Sequence, residues 1–164
     1  MTHSFPDFHE VKNAGNVLIK IDIAMKRFTR QFNKAQYHLD SMVMTDMIPY
    51  MPMVTSTFIN TTKARSDAIA GTGYVYAAAP PYGRYLYRGK VMVSPSTGSA
   101  WAEYGEKKVL VSEYRGKTTA KEDIEFNKTA HPKVTKEWFE AAKYQNGKKW
   151  VRKTKKWAGG GTYA

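Results

Sequence analysis

The side chains able to move protons or hold ions are few and scattered along this chain. Four histidines, His3, His9, His38 and His131, show no metal-ligand spacing, and no cysteine supplies a thiolate. Neither H-E-x-x-H nor G-x-S-x-G occurs. Two segments come close to a phosphate-binding loop. Gly83 to Gly89-Lys90 has one residue too many between its glycines, and Val91 stands where Ser or Thr would hold magnesium. Gly116-Lys117-Thr118 ends correctly, but Val111 replaces the first glycine. That loop needs both glycines so that its backbone can fold around phosphates, so neither segment is read as one. Among the 14 acids, Glu122, Asp123 and Glu125 cluster in a polar stretch, and nothing selects a catalytic pair. No catalytic residue, metal site or cofactor is expected, and enzymatic activity is not expected.

Binding chemistry is better supplied. In the stretch from Tyr74 to Val93, Tyr74, Tyr76, Tyr82, Tyr85 and Tyr87 surround Pro80-Pro81, with Arg84, Arg88 and Lys90 threaded among them. Tyrosine and arginine are enriched where proteins grip each other. Tyr82, Arg84, Tyr85, Tyr87, Arg88 and Lys90 are therefore candidates for a subunit or partner interface. The plainer alternative, that the tyrosines finish a small core, stays open, most of all for Tyr74 and Tyr76.

The formal net charge is +12, and Lys148, Lys149, Arg152, Lys153, Lys155 and Lys156 account for half of it, with no acid after Glu140. Such a balance points to nucleic acid, an acidic protein or a membrane surface without choosing among them. With Trp150 and Trp157 interleaved, these six cations are candidates for contact with DNA or an acidic partner, since charge and stacking surface are combined as in single-strand binders.

The elements that would carry these residues follow from pattern. A length of 164 residues and a hydrophobic fraction of 42% suit one domain with a core. No apolar run reaches the roughly 18 residues that span a bilayer, and no basic-then-apolar leader opens the chain, so neither is expected. Residues 1–15 lack any period and read as an arm. Val17 to Ile23 reads as a strand, after which Asp22 is expected to cap a helix. Phe28, Phe32, Ala35, Leu39, Met42, Val43 and Met47 recur at steps of three and four, an amphipathic helix whose basic side carries Lys26, Arg27, Arg30 and Lys34. Pro49 and Pro52 end it. Met42, Met44, Met47, Met51 and Met53 form a methionine-rich corner suited to core packing or to an adaptable contact surface. The β-branched run 55–65 is expected as a strand, with 68–76 returning as its partner. Tyr82, Tyr85 and Leu86 predict a short helix that Gly89 closes. Short strands are expected at 90–93, 107–114 and 124–126. His131-Pro132 is expected to open a last helix, weakened at Gly147. The fold class is α+β: a small, mostly antiparallel sheet packed on a long N-terminal amphipathic helix and a C-terminal helix, with extended termini. The expected divisions are an arm (1–15), a domain (16–146) and a basic tail (147–164), the arm and tail ordering only in assembly.

Several motifs occur in an order that resembles a known family. They are Ala35-Gln36 with Leu39-Asp40, then Pro49-Tyr50 with Pro52, and the Thr55–Thr57 run. Pro81-Tyr82 follows with Arg84-Tyr85, Tyr87 and Gly89-Lys90, and last come His131-Pro132 with Trp138-Phe139 and Ala142-Lys143. Over residues 16–143 this resembles the minor capsid or tail-completion proteins, the head–tail joining class of long-tailed bacteriophages. The resemblance implies a structural virion protein of the neck, assembled in the host cytoplasm. Its copies would form a ring, expected to be hexameric, between head connector or stopper proteins and tail terminator or tail tube proteins. DNA would pass through the lumen, and no membrane is involved. The alternative reading is a nucleic-acid-binding protein that uses the basic, Trp-containing tail.

Overall fold

A stripe of apolar residues at helical spacing has to be covered, and here two helices cover each other. In the computed structural model, which describes residues 4–14, 17–53, 56–81 and 83–159, the stripe lies on α1 (Lys26–Met47). Ala35, Val43, Met44 and Met47 are buried, while Phe28 and Phe32 toward the helix start remain exposed. The architecture is α+β: among the described residues, four helices accompany two small antiparallel sheets. The β component is a pair of separate two-stranded ribbons, not one sheet spread beneath the long helix.

The first ribbon replaces most of the expected arm. Residues 8–14 form β1 (Phe8–Ala14), paired antiparallel with β2 (Val17–Ile23) from Phe8 opposite Ile23 to Ala14 opposite Val17. An isolated ribbon is marginal in water, so its base is tied to α1. The Phe5 ring meets Phe32 edge-on at 5.6 Å, and the Phe5 N–H donates to Thr29 Oγ1 at 3.2 Å. Asp22 does not cap the helix. It lies in β2, where its carboxylate meets His9 Nδ1 at 2.7 Å. Asp7 instead accepts the Met25 N–H at the start of α1, at 2.7 Å.

A 3₁₀ turn over Ile48–Tyr50 ends α1, and Met51 is already extended, as the prolines require. Residues expected as a strand form α2 (Thr57–Ala68). Its Phe58, Ile59, Thr62 and Ser66 fall on one helical face and are buried, so packing overrides the β preference of the threonines. The expected partner strand does not form, because side chains satisfy that backbone. Asp40 accepts the Gly71 and Gly73 N–H groups at 2.7 and 3.0 Å. Ser66 Oγ joins the Tyr76 N–H and C=O, and Thr62 Oγ1 accepts the Ala79 N–H. The residues from 71 to 79 are thus clipped to α1 and α2.

The short helix α3 (Gly83–Arg88) forms as expected, and Gly89 closes it at φ +68°. A Cβ on Gly83 would meet Ala78 at 2.9 Å, so α3 starts hard against the clipped segment. β3 (Met92–Val93) pairs with β4 (Val109–Leu110), shorter than the strand expected over 107–114, since Val111–Glu113 is a 3₁₀ turn. Residues 124–126 are not a strand. Ile124 donates to the Gly89 carbonyl and Asp123 bridges Lys90.

The last helix, α4 (Trp138–Trp157), begins later than His131-Pro132 suggested. His131 Nδ1 sits 2.8 Å from the Met51 carbonyl, and the Thr135 N–H donates to Tyr50, so this approach runs along the end of α1. α4 continues through Gly147, and the expected 146/147 boundary falls inside it. Its Trp138, Ala142 and Trp150 are buried with Val43, Met44 and Met47 of α1. Trp138 Nε1 donates to the Ala77 carbonyl at 2.7 Å, and Trp150 Nε1 to Asp46 at 2.6 Å. The methionine corner is core: Met44, Met47 and Met51 are almost fully enclosed.

Candidate interaction surfaces

α3 carries four of the six residues singled out as a possible interface, Arg84, Tyr85, Tyr87 and Arg88, and a helix cannot turn all of them outward. Arg84 is exposed and lies 5.0 Å from the Tyr85 ring centroid, with Nη2 donating to the Tyr85 hydroxyl at 3.1 Å. Arg88 is exposed at the helix end. Tyr87, one step round the helix, packs edge-on against Trp138 at 4.9 Å. Burial pushes its phenol pKa up, reinforced by Glu140 and Glu137. Tyr87 therefore belongs to the core side of α3. Lys90 pairs with Glu122 and Asp123, each at 2.9 Å. The hydrogen bonds that its ammonium donates to Asp123 and then to Glu122 raise its pKa. Tyr82 lies outside the described residues. The structure thus leaves Arg84 and Arg88 exposed, sets the half-buried Tyr85 against Arg84, and engages Tyr87 and Lys90 within the chain.

The six cations of the expected tail are distributed around α4. Lys149 is held against Asp46 at 2.6 Å, while Lys148, Arg152, Lys153, Lys155 and Lys156 are exposed. Lys143 and Lys155 flank an open apolar groove of about 590 Å³ between α1 and α4, floored by Leu39, Val43, Phe139 and Trp150.

No family model, curated protein or solved structure matches this chain.

Its surfaces therefore have to be read from their own geometry. Two elements outside the helical core expose large apolar side chains. On the β1–β2 ribbon these are Phe8, Val11 and Ile23; on the loop between β3 and β4, Trp101 and Tyr104 are 86% and 109% exposed. That loop is organised, not loose. Glu106 accepts hydrogen bonds from Ser94 Oγ and from the Ser96 and Glu103 N–H groups. Hydrogen bonding by the Ser96 side chain first, then by Ser94 Oγ and the Glu103 and Ser96 N–H groups, holds its carboxyl below the usual range. Gly98 (φ +67°) lets Tyr114 pack against the turn, where a Cβ would lie 2.6 Å from the ring.

Trp101 and Tyr104 were not singled out by sequence reasoning, which had only an irregular stretch to go on. The signal available was an aromatic pair set among Gly98, Ser99 and Gly105. Gly116-Lys117-Thr118 lies in an irregular loop with no helix after it, unlike a phosphate-binding loop. Among the described residues, no three His, Asp or Glu side chains group to hold a metal ion, and no helix is long and apolar enough to cross a membrane.

Proposed function

We propose that this chain is a structural subunit of a bacteriophage neck, one that assembles into a ring joining head to tail. The observation that carries the reading is the exposure of Trp101, Tyr104, Phe8 and Val11 on the β3–β4 loop and the β1–β2 ribbon, outside the buried helical core. Ordered elements that keep large apolar side chains in water suit contacts completed by other chains. Arg84, Tyr85 and Arg88 add a cation–aromatic patch of the composition found at interface hot spots. The motif order from Ala35 to Lys143, which resembles the tail-completion class, supports the same reading. In it, neighbouring copies cover the ribbon and the loop, six copies close the ring, and connector and tail proteins abut its two faces.

Electron microscopy of purified virions with the chain labelled tests the proposal. Density for a ring of this chain at the head–tail junction is the expected result. Absence of the chain from purified virions would end the reading. A monomer in isolation would not, since such a ring can form only on contact with its neighbours in the virion.

A further inference from the structure

The basic residues of α1 raise a question that the neck reading does not answer. Four cations, Lys26, Arg27, Arg30 and Lys34, occupy the first nine positions of α1, and its first turn holds no acid. A helix start is the positive end of the peptide dipole, so cations there oppose helix formation. Asp7 approaches this end, but its carboxylate accepts the Met25 N–H. Helix stability therefore gives no reason for this placement.

Three of these cations meet the far end of α4. Arg27, Arg30 and Lys34 line an open cleft of about 480 Å³ whose other wall is Lys156 and Trp157. No acid lines it, and none of the four cations takes part in an ion pair among the described residues. His38 closes one end, its ring tilted over Trp157 at 4.8 Å. Gly159 follows at φ +90°, ending α4 beside Gln31 of the same cleft.

We infer that the cleft formed by Arg27, Arg30, Lys34, Lys156 and Trp157 binds the phosphodiester backbone of a nucleic acid. Arg27 to Lys34 spans roughly 10 Å along the helix axis. That is the axial length of about three nucleotides of one strand. A row of cations at that spacing follows a backbone, with Lys156 reaching it from the other side. An acidic protein would be met as well by point charges anywhere on α4, so the linear row favours the polymer of regularly spaced phosphates. Phosphate contacts carry no base information, so the binding they supply is independent of sequence. The inference stands apart from the neck reading: a chain missing from virions would leave the cleft unaffected, and a cleft that failed to bind would leave the ring unaffected.

The test is a fluorescence-anisotropy titration of the full chain with a labelled random-sequence duplex, and with one of its strands, across a salt series. A variant with R27Q, R30Q, K34Q and K156Q is compared with a charge-matched variant with R115Q, K117Q, K128Q and K133Q. Each phosphate neutralised contributes about 0.9 to the log–log salt slope on a duplex and about 0.7 on a single strand. The cleft variant should lose about 3 to 4 in slope on the duplex, and the matched variant less than about 1. R27Q and R30Q relieve a helix start of cations while K156Q takes one from a helix end, so the thermal midpoint should stay near that of the parent, which separates lost binding from lost folding. Equal loss in the two variants, no binding by the unsubstituted chain at low salt, or equally tight binding of polyglutamate would each overturn the assignment.

Discussion

Asp40 shows how one side chain can set the course of a distant segment. It is 4% exposed, accepts the Gly71 and Gly73 N–H groups, and takes a third hydrogen bond from Gln36 at 2.7 Å. Both glycines sit at positive φ, +94° and +83°, so the turn that presents these N–H groups is one other residues rarely adopt. Asp40→Ala leaves two backbone donors without partners and should cost about 2–4 kcal/mol, read from chemical denaturation. Trp138 is fully buried and bonded to the Ala77 carbonyl, so Trp138→Ala should cost about 3–5 kcal/mol. Glu106 gives a pH signature. Its folded pKa is lowered, so its stabilisation is complete above the ordinary carboxylate range and disappears as pH falls through the depressed value. The protection of the Ser96 and Glu103 amides, measured against their intrinsic exchange rates, should fall on acidification before that of α1 and α4, and Glu106→Gln should flatten that pH dependence.

Among the elements, α4 departs most from a reading of the chain as a domain with a loose basic end. Its later turns put Trp150 into the core and Lys149 onto Asp46. Cutting the chain after Asn146 would remove Trp150 and leave Asp46 without either partner. The truncated protein should lose several kcal/mol of stability, measured by thermal unfolding, where a dispensable tail would cost nothing. α3 shows a similar division of labour. Tyr87→Ala would strip a ring from Trp138 and weaken the fold, so it cannot report on assembly alone. Arg84→Ala with Arg88→Ala removes only exposed charge. That pair should leave the thermal midpoint within about 0.5 kcal/mol of the parent and lower the yield of tailed particles.

At the level of the whole molecule, large apolar side chains stay exposed on the β1–β2 ribbon and the β3–β4 loop, and a row of cations lines the cleft where α4 ends beside α1. Replacing Trp101 and Tyr104 together by Ser should not destabilise the isolated chain, since both are in water. In the neck reading it should prevent assembly, seen as unjoined heads and tails by negative-stain microscopy. Normal tailed particles from that variant would count against the loop as a contact.

Local pattern was enough for α1, where apolar steps of three and four and the stops at Pro49 and Pro52 are encoded within a few turns. The same holds for α3 and its closing Gly89, and for the α+β class. Long-range partners settled the rest. Thr57 to Thr62 has strand-like composition, yet it is helical because Phe58, Ile59 and Thr62 are buried together on one face, and residues 71–79 bond to Asp40, Thr62 and Ser66 in place of a ladder. The ribbon of β1 needed β2 across from it, since its own residues show no alternation. Gly147 did not break α4 because Trp138, Ala142 and Trp150 bury a continuous face against α1, outweighing a local propensity cost of about 1 kcal/mol. The basic cleft was hidden for the same reason: its cations lie at opposite ends of the chain, and only the packing of α4 along α1 brings them face to face.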